Sequence, residues 1–147
     1  MNISRREIRE KALQALFQLT ANPDMDRETA ILNALNNDEQ GEETESEQEI
    51  PEYLDVLVAG VLEQEEEIDR TISRHLRNWS LNRLAKTDLL ILRIGVYELL
   101  YQQDVPANVV INEAIEITKE YSDEESRKFV NGVLSSVNRA QIKKETE

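Results

Sequence analysis

One stretch constrains the chain more than any other: Leu89-Leu90-Ile91-Leu92-Arg93-Ile94-Gly95-Val96-Tyr97-Glu98-Leu99-Leu100-Tyr101 is apolar on nearly every face of a helix. Such a helix is stable in water only when other helices cover it on several sides. A bilayer span takes about 20 mostly apolar residues; this run is shorter and carries Arg93 and Glu98. It therefore predicts the central post of an all-α domain, with the chain from Trp79 to Leu134 organised around it.

The other helices follow from apolar residues at helical spacing. Ile8, Ala12, Ala15, Leu16 and Leu19 place a first helix over about Ile3 to Leu19, and Asp26 can cap a second that runs to about Asn36 with Ile31, Leu32 and Leu35 inward. Pro51 opens a third, which Tyr53, Leu54, Leu57, Val58, Val61, Leu62, Ile68, Ile72 and Leu76 extend to about Arg77. Ser80 can cap the central helix over residues 81–102, bent near Thr87-Asp88. Pro106 ends it. Asn108 then caps a fifth helix to Tyr121, and Ser122 or Asp123 caps a sixth to about Arg139 with Phe129, Val130, Val133, Leu134 and Val137 inward. No period-two pattern and no repeat appears. The expectation is one all-α domain of six to seven helices spanning residues 1–147, interrupted by a mobile, wholly polar acidic loop at 38–49.

The net charge of -13 looks hostile to a nucleic-acid partner until it is located. From Glu28 to Asp69 there are 15 acidic residues and no Lys or Arg, so the other 105 residues carry 17 basic against 15 acidic side chains. The acidity belongs to one segment, and a basic patch elsewhere remains open. The first helix suggests where. Beside its core arc, Arg5, Arg9, Leu13, Arg6 and Phe17 span about 120° of the same helix. Arginines contact phosphate and an aromatic neighbour stacks an unpaired base. Phe129 is a second candidate platform, at the edge of the sixth helix's apolar arc beside Ser136, Glu125 and Gly132. Two readings stand side by side: an RNA-binding face, or core aromatics flanked by solvated arginines.

Catalysis finds little support. There is no cysteine, which removes disulfides, thiol nucleophiles and cysteine-bound zinc. The lone His75 near a helix end suits a surface or capping role. Gly41, Gly60, Gly95 and Gly132 stand too far apart for a phosphate-cradling loop. Within helices, a glycine costs about 1 kcal/mol relative to alanine, and close helix approach at Gly60, Gly95 and Gly132 would offset that cost. No cofactor or metal is expected, and no signal peptide is evident, which points to the cytoplasm.

Several blocks, taken together, resemble the bacterial transcription antitermination factor NusB family. They are Arg5-Arg6-Glu7-Ile8-Arg9-Glu10-Lys11-Ala12-Leu13-Gln14-Ala15-Leu16-Phe17, Ile91-Leu92-Arg93-Ile94 with Tyr97-Glu98-Leu99, Val105-Pro106 with Ile111-Asn112-Glu113-Ala114-Ile115-Glu116, and Lys128-Phe129-Val130-Asn131-Gly132-Val133-Leu134. The resemblance covers nearly everything outside residues 20–50. It implies a non-enzymatic, all-helical protein that binds boxA single-stranded RNA with the ribosomal protein NusE and helps the RNA polymerase antitermination complex resist termination on ribosomal RNA operons. It assigns RNA contacts to Arg5, Arg6, Arg9, Phe17, Glu125 and Phe129, and a partner contact to Asp88. Phe17 stands where tyrosine is commoner in the family, and Glu125 where a shorter aspartate occurs. The family explains nothing about the acidic loop, and self-association of the isolated chain stays open. The alternatives are a helical module that binds protein only, or the N-terminal domain type found in some RNA methyltransferases.

Overall fold

The computed structural model describes residues 3–36 and 49–145; the acidic loop, apart from Glu49, lies outside the described residues. These form seven α-helices and one short 3-10 turn, with no strand among them: α1 Arg5–Ala21, α2 Arg27–Asn36, α3 Glu52–Glu63, α4 Glu65–Arg74, the 3-10 turn Leu81–Arg83, α5 Lys86–Tyr101, α6 Ala107–Tyr121 and α7 Glu124–Glu145. The chain divides into two compact units, Met1–Leu62 and Glu63–Glu147.

In the first unit α1 packs on α2. Ser4 caps α1, its Oγ accepting from the Glu7 N–H at 3.1 Å, a Ser-x-x-Glu start that satisfies one of the orphan donors of the first turn. Asp26 Oδ1 accepts from the Thr29 N–H at 2.7 Å, so α2 begins where expected. An ion pair between Arg27 and Asp55 at 2.9 Å links α2 to α3. The buried stripe of α1 is wider than the predicted arc: Leu13 and Arg9 are buried with Ile8, Ala12, Ala15 and Leu16, while Leu19 is only half-buried.

In the second unit α5 is the post: Leu90, Ile91, Leu92, Ile94, Val96, Tyr97 and Leu99 are all buried, and α4, α6 and α7 pack around it. Arg93, one of its two charged residues within the apolar run, is held by Asp69 of α4 through two 2.9 Å bonds and by Glu65 at 3.2 Å. A bidentate guanidinium–carboxylate pair fixes orientation as well as distance, and this one clamps α4 on α5. Gly95 lies against α7, where an added Cβ would meet both Leu134 methyls at 3.0 Å. Gly132 meets nothing within 4 Å, so close approach explains Gly95 but not Gly132.

Three helix starts differ from expectation, each for a local reason. The predicted third helix is two, because Gln64 sits at φ -105°, ψ 17°, outside the helical region. Glu65, Glu66 and Glu67 then fall in the first turn of α4, where the positive end of the helix dipole favours carboxylates. The central α-helix starts at Lys86, not residue 81: Leu84 and Ala85 are extended, and Ser80 bonds Asn82 instead of capping. Helix α6 begins at Ala107 with Pro106 in the cap position, which leaves Asn108 inside the first turn. Of the two candidate caps for α7, Asp123 is the one used, accepting from the Ser126 N–H at 2.9 Å.

Two measurements check these assignments. Gly95→Ala should lower stability, because overpacking a filled contact costs about 1–3 kcal/mol against about 1 kcal/mol gained in helix propensity; Gly132→Ala should raise stability by up to about 1 kcal/mol, both read by denaturant titration. The Ser126 backbone N–H, donating to the Asp123 carboxylate, holds that carboxyl below the usual aspartate range. A depressed folded-state pKa adds stability above about pH 4, the unfolded value, that is lost as pH falls through the folded one. Carbon-detected NMR titration should therefore find Asp123 titrating below about 3.9; a value at or above it would remove the cap.

Candidate nucleic-acid interface

Arg5 and Arg6 occupy the first two positions of α1 and are exposed. Cations there oppose the helix dipole by about 0.3–1 kcal/mol each, so helix stability does not account for them. Arg5 is steadied by the Tyr53 ring of α3, its guanidinium 3.8 Å above the ring centroid. Arg9, the third arginine expected at this face, is only 3 % exposed and lies on the buried side of α1. One turn further, Leu13 is fully buried. The arginine face is therefore a tip, Arg5 and Arg6, mounted on a buried shaft. Phe17 is half-buried, which leaves part of its ring accessible three turns along the same helix.

The second unit holds the other candidates on the first turns of α7. Glu125 is exposed and Phe129 half-buried, four residues apart and hence neighbours on one helix face. Gly132 is exposed on the next turn. With open space in place of a side chain, it leaves the backbone beside Phe129 bare, so this glycine shapes the surface instead of the core.

Asp88, expected as a partner contact, is 7 % exposed in the first turn of α5. Its Oδ2 accepts from the Ser126 hydroxyl at 2.8 Å, and Ser126 in turn accepts from the Ser122 hydroxyl at 2.8 Å. This relay ties the start of α5 to the α6–α7 turn and to the first turn of α7, which carries Glu125. Asp88 Oδ1 is buried without a hydrogen-bond partner. Asp88 thus sets where the α7 start sits. Sequence reasoning missed Ser122 and Ser126, whose role depends on a residue 38 positions away.

His75 is the C-cap residue of α4, and its Nδ1 lies 2.7 Å from the Ser136 hydroxyl of α7. Burial, together with the Arg74 and Arg139 cations, pushes its pKa down and keeps the ring neutral at pH 7. No helix among the described residues is long and apolar enough to cross a membrane.

Comparison with known proteins places this arrangement. The NusB family model matches residues 6–139. The chain is 52% identical to the transcription antitermination protein NusB of Enterococcus faecalis over 92% of this chain and 89% of that one. It is 54% identical to that of Lactiplantibacillus plantarum over 93% and 96%. Among solved structures it is similar to T. maritima NusB, with a TM-score of 0.79 and 40% identity over 95% of this chain and 93% of that chain. It also matches a structure of the antitermination factors NusB and NusE in complex with dsRNA, with a TM-score of 0.77 and 28% identity over 92% of this chain and 96% of that chain. With an all-helical fold of seven described α-helices and matches spanning nearly all of its length, the chain belongs to the NusB family.

Proposed function

We propose that this protein is a transcription antitermination factor of the cytoplasm, which binds boxA single-stranded RNA of nascent ribosomal RNA transcripts together with ribosomal protein NusE. In that complex it helps RNA polymerase resist termination. The observation that carries the reading is the family match, joined to two exposed arginines at the unfavourable end of α1. Arg5 and Arg6 supply phosphate contacts. Phe129 and Phe17 offer half-exposed rings on which unpaired bases stack. Glu125, an acceptor beside Phe129, is placed to take an exocyclic amine from a base. Arg9 and Asp88 act as buried supports: Arg9 beneath the arginine tip, and Asp88 by fixing the α7 start near the surface offered to NusE. Each of these roles is binding, and none needs a nucleophile or a bound cofactor.

Titrating boxA RNA and a scrambled RNA of equal length against the protein, alone and with NusE, tests this directly. Phe129→Ala should weaken boxA binding by about tenfold, the loss of one stacked base. Arg6→Glu should weaken it too and flatten the logarithmic salt dependence by about 0.7 for each lost phosphate contact. Equal binding of boxA and scrambled RNA in the presence of NusE would leave only a protein-binding module.

A further inference from the structure

Two stretches of this acidic chain carry cations without any acid. From Arg70 to Thr87 there are five Lys or Arg residues and no Asp or Glu; from Ser126 to Lys144 there are again five and none. The first is the end of α4, the following loop, the 3-10 turn and the start of α5; the second is most of α7. They meet in space, because His75 bonds Ser136 at 2.7 Å and feels the charges of both Arg74 and Arg139. Arg74, Arg77, Arg83 and Arg139 are exposed, and none of them is paired with a carboxylate among the described residues.

Trp79 stands in the middle of the first stretch. It follows Asn78, whose φ of 64° turns the chain sharply, and it is 57 % exposed, the most of the large exposed apolar residues. A lone exposed apolar side chain is ordinary. An exposed indole flanked by unpaired arginines is different, since it joins a stacking surface to phosphate-binding cations, the combination that holds single strands without regard to sequence.

Helix α7 connects this patch to the interface already described. Ser136 lies seven residues beyond Phe129, which puts the two about 20° apart on the same face and about 10 Å apart along the axis. Glu125, Phe129, Gly132, Ser136 and Arg139 thus form one stripe, with the base-stacking candidate near one end and the His75 junction near the other. We propose that a second, sequence-tolerant single-stranded RNA site is built from Trp79, Arg74, Arg77 and Arg139, and that it holds RNA flanking the boxA element bound at Phe129. The assignment of boxA rests on the function proposed above; the site itself does not. Base faces match the exposed indole and phosphates match the unpaired arginines, so a single strand of RNA satisfies both at once.

Trp79 is the only tryptophan, so its emission reports this site alone. Oligouridine titrated into the full-length protein should quench that emission saturably, and Arg74→Gln with Arg77→Gln should weaken the quenching about tenfold while flattening the salt dependence by about 0.7 per lost contact. BoxA RNA carrying an oligouridine extension should bind more tightly than boxA RNA alone. Trp79→Ala should abolish that gain, read by anisotropy of labelled RNA, and leave boxA alone unaffected. Unquenched emission with oligouridine and no gain from the extension would overturn the site even if boxA RNA binds well. Quenching by oligoglutamate but not by oligouridine would overturn it in favour of an acidic protein. Failure of boxA to outcompete scrambled RNA, with oligouridine still quenching Trp79, would remove the antitermination reading and support the site.

Discussion

The contact between Gly95 and Leu134 is the constraint on which the second unit depends. A helix apolar on most faces has no preferred side, so something other than hydrophobicity must decide which neighbour comes closest. Gly95 does so by removing a side chain from one point of α5, and the Leu134 methyls fill that point. Helix α7 is thereby set against the post, and its opposite stripe, with Glu125, Phe129 and Arg139, faces away from the core. The Asp69–Arg93 clamp does the corresponding work for α4, through directed bonds in place of shape. Shape complementarity and bidentate geometry supply orientation, which area burial alone cannot.

The overall charge misleads about function because charge acts locally. At physiological salt an exposed charge is largely screened beyond about 8 Å, so an acidic total does not fix the sign of the potential at each surface. The family's RNA-binding role and an acidic isoelectric point are therefore compatible. The helix ends show the same local logic. Glu65, Glu66 and Glu67 gather where the dipole of α4 welcomes them, and Arg5 and Arg6 where that of α1 does not.

Two buried polar groups lie beside the candidate surfaces. Asp88 and Arg9, identified through family resemblance as contacts, are both nearly inaccessible. Asp88 holds Ser126 and through it Ser122, so a carboxylate on one helix fixes the start of another. Its place in the fold is to position its neighbours.

Much of the fold was legible from sequence alone. The central post, the all-α class, the cap at Asp26 and a cap at Ser122 or Asp123 follow from periodicity and short-range chemistry, which act within a few residues. What tertiary structure decided was exposure and junctions. The apolar residues on either side of 63–67 keep one helical phase, which hid the break at Gln64 although Glu65, Glu66 and Glu67 mark a helix start. Gly95 and Gly132 look alike as helical glycines, yet one is filled by Leu134 and the other is open. The wheel put Arg6 and Arg9 on one face of α1, but one is exposed and the other buried. Exposure belongs to what packs nearby, often dozens of residues away in the chain, and a single helix carries no record of it.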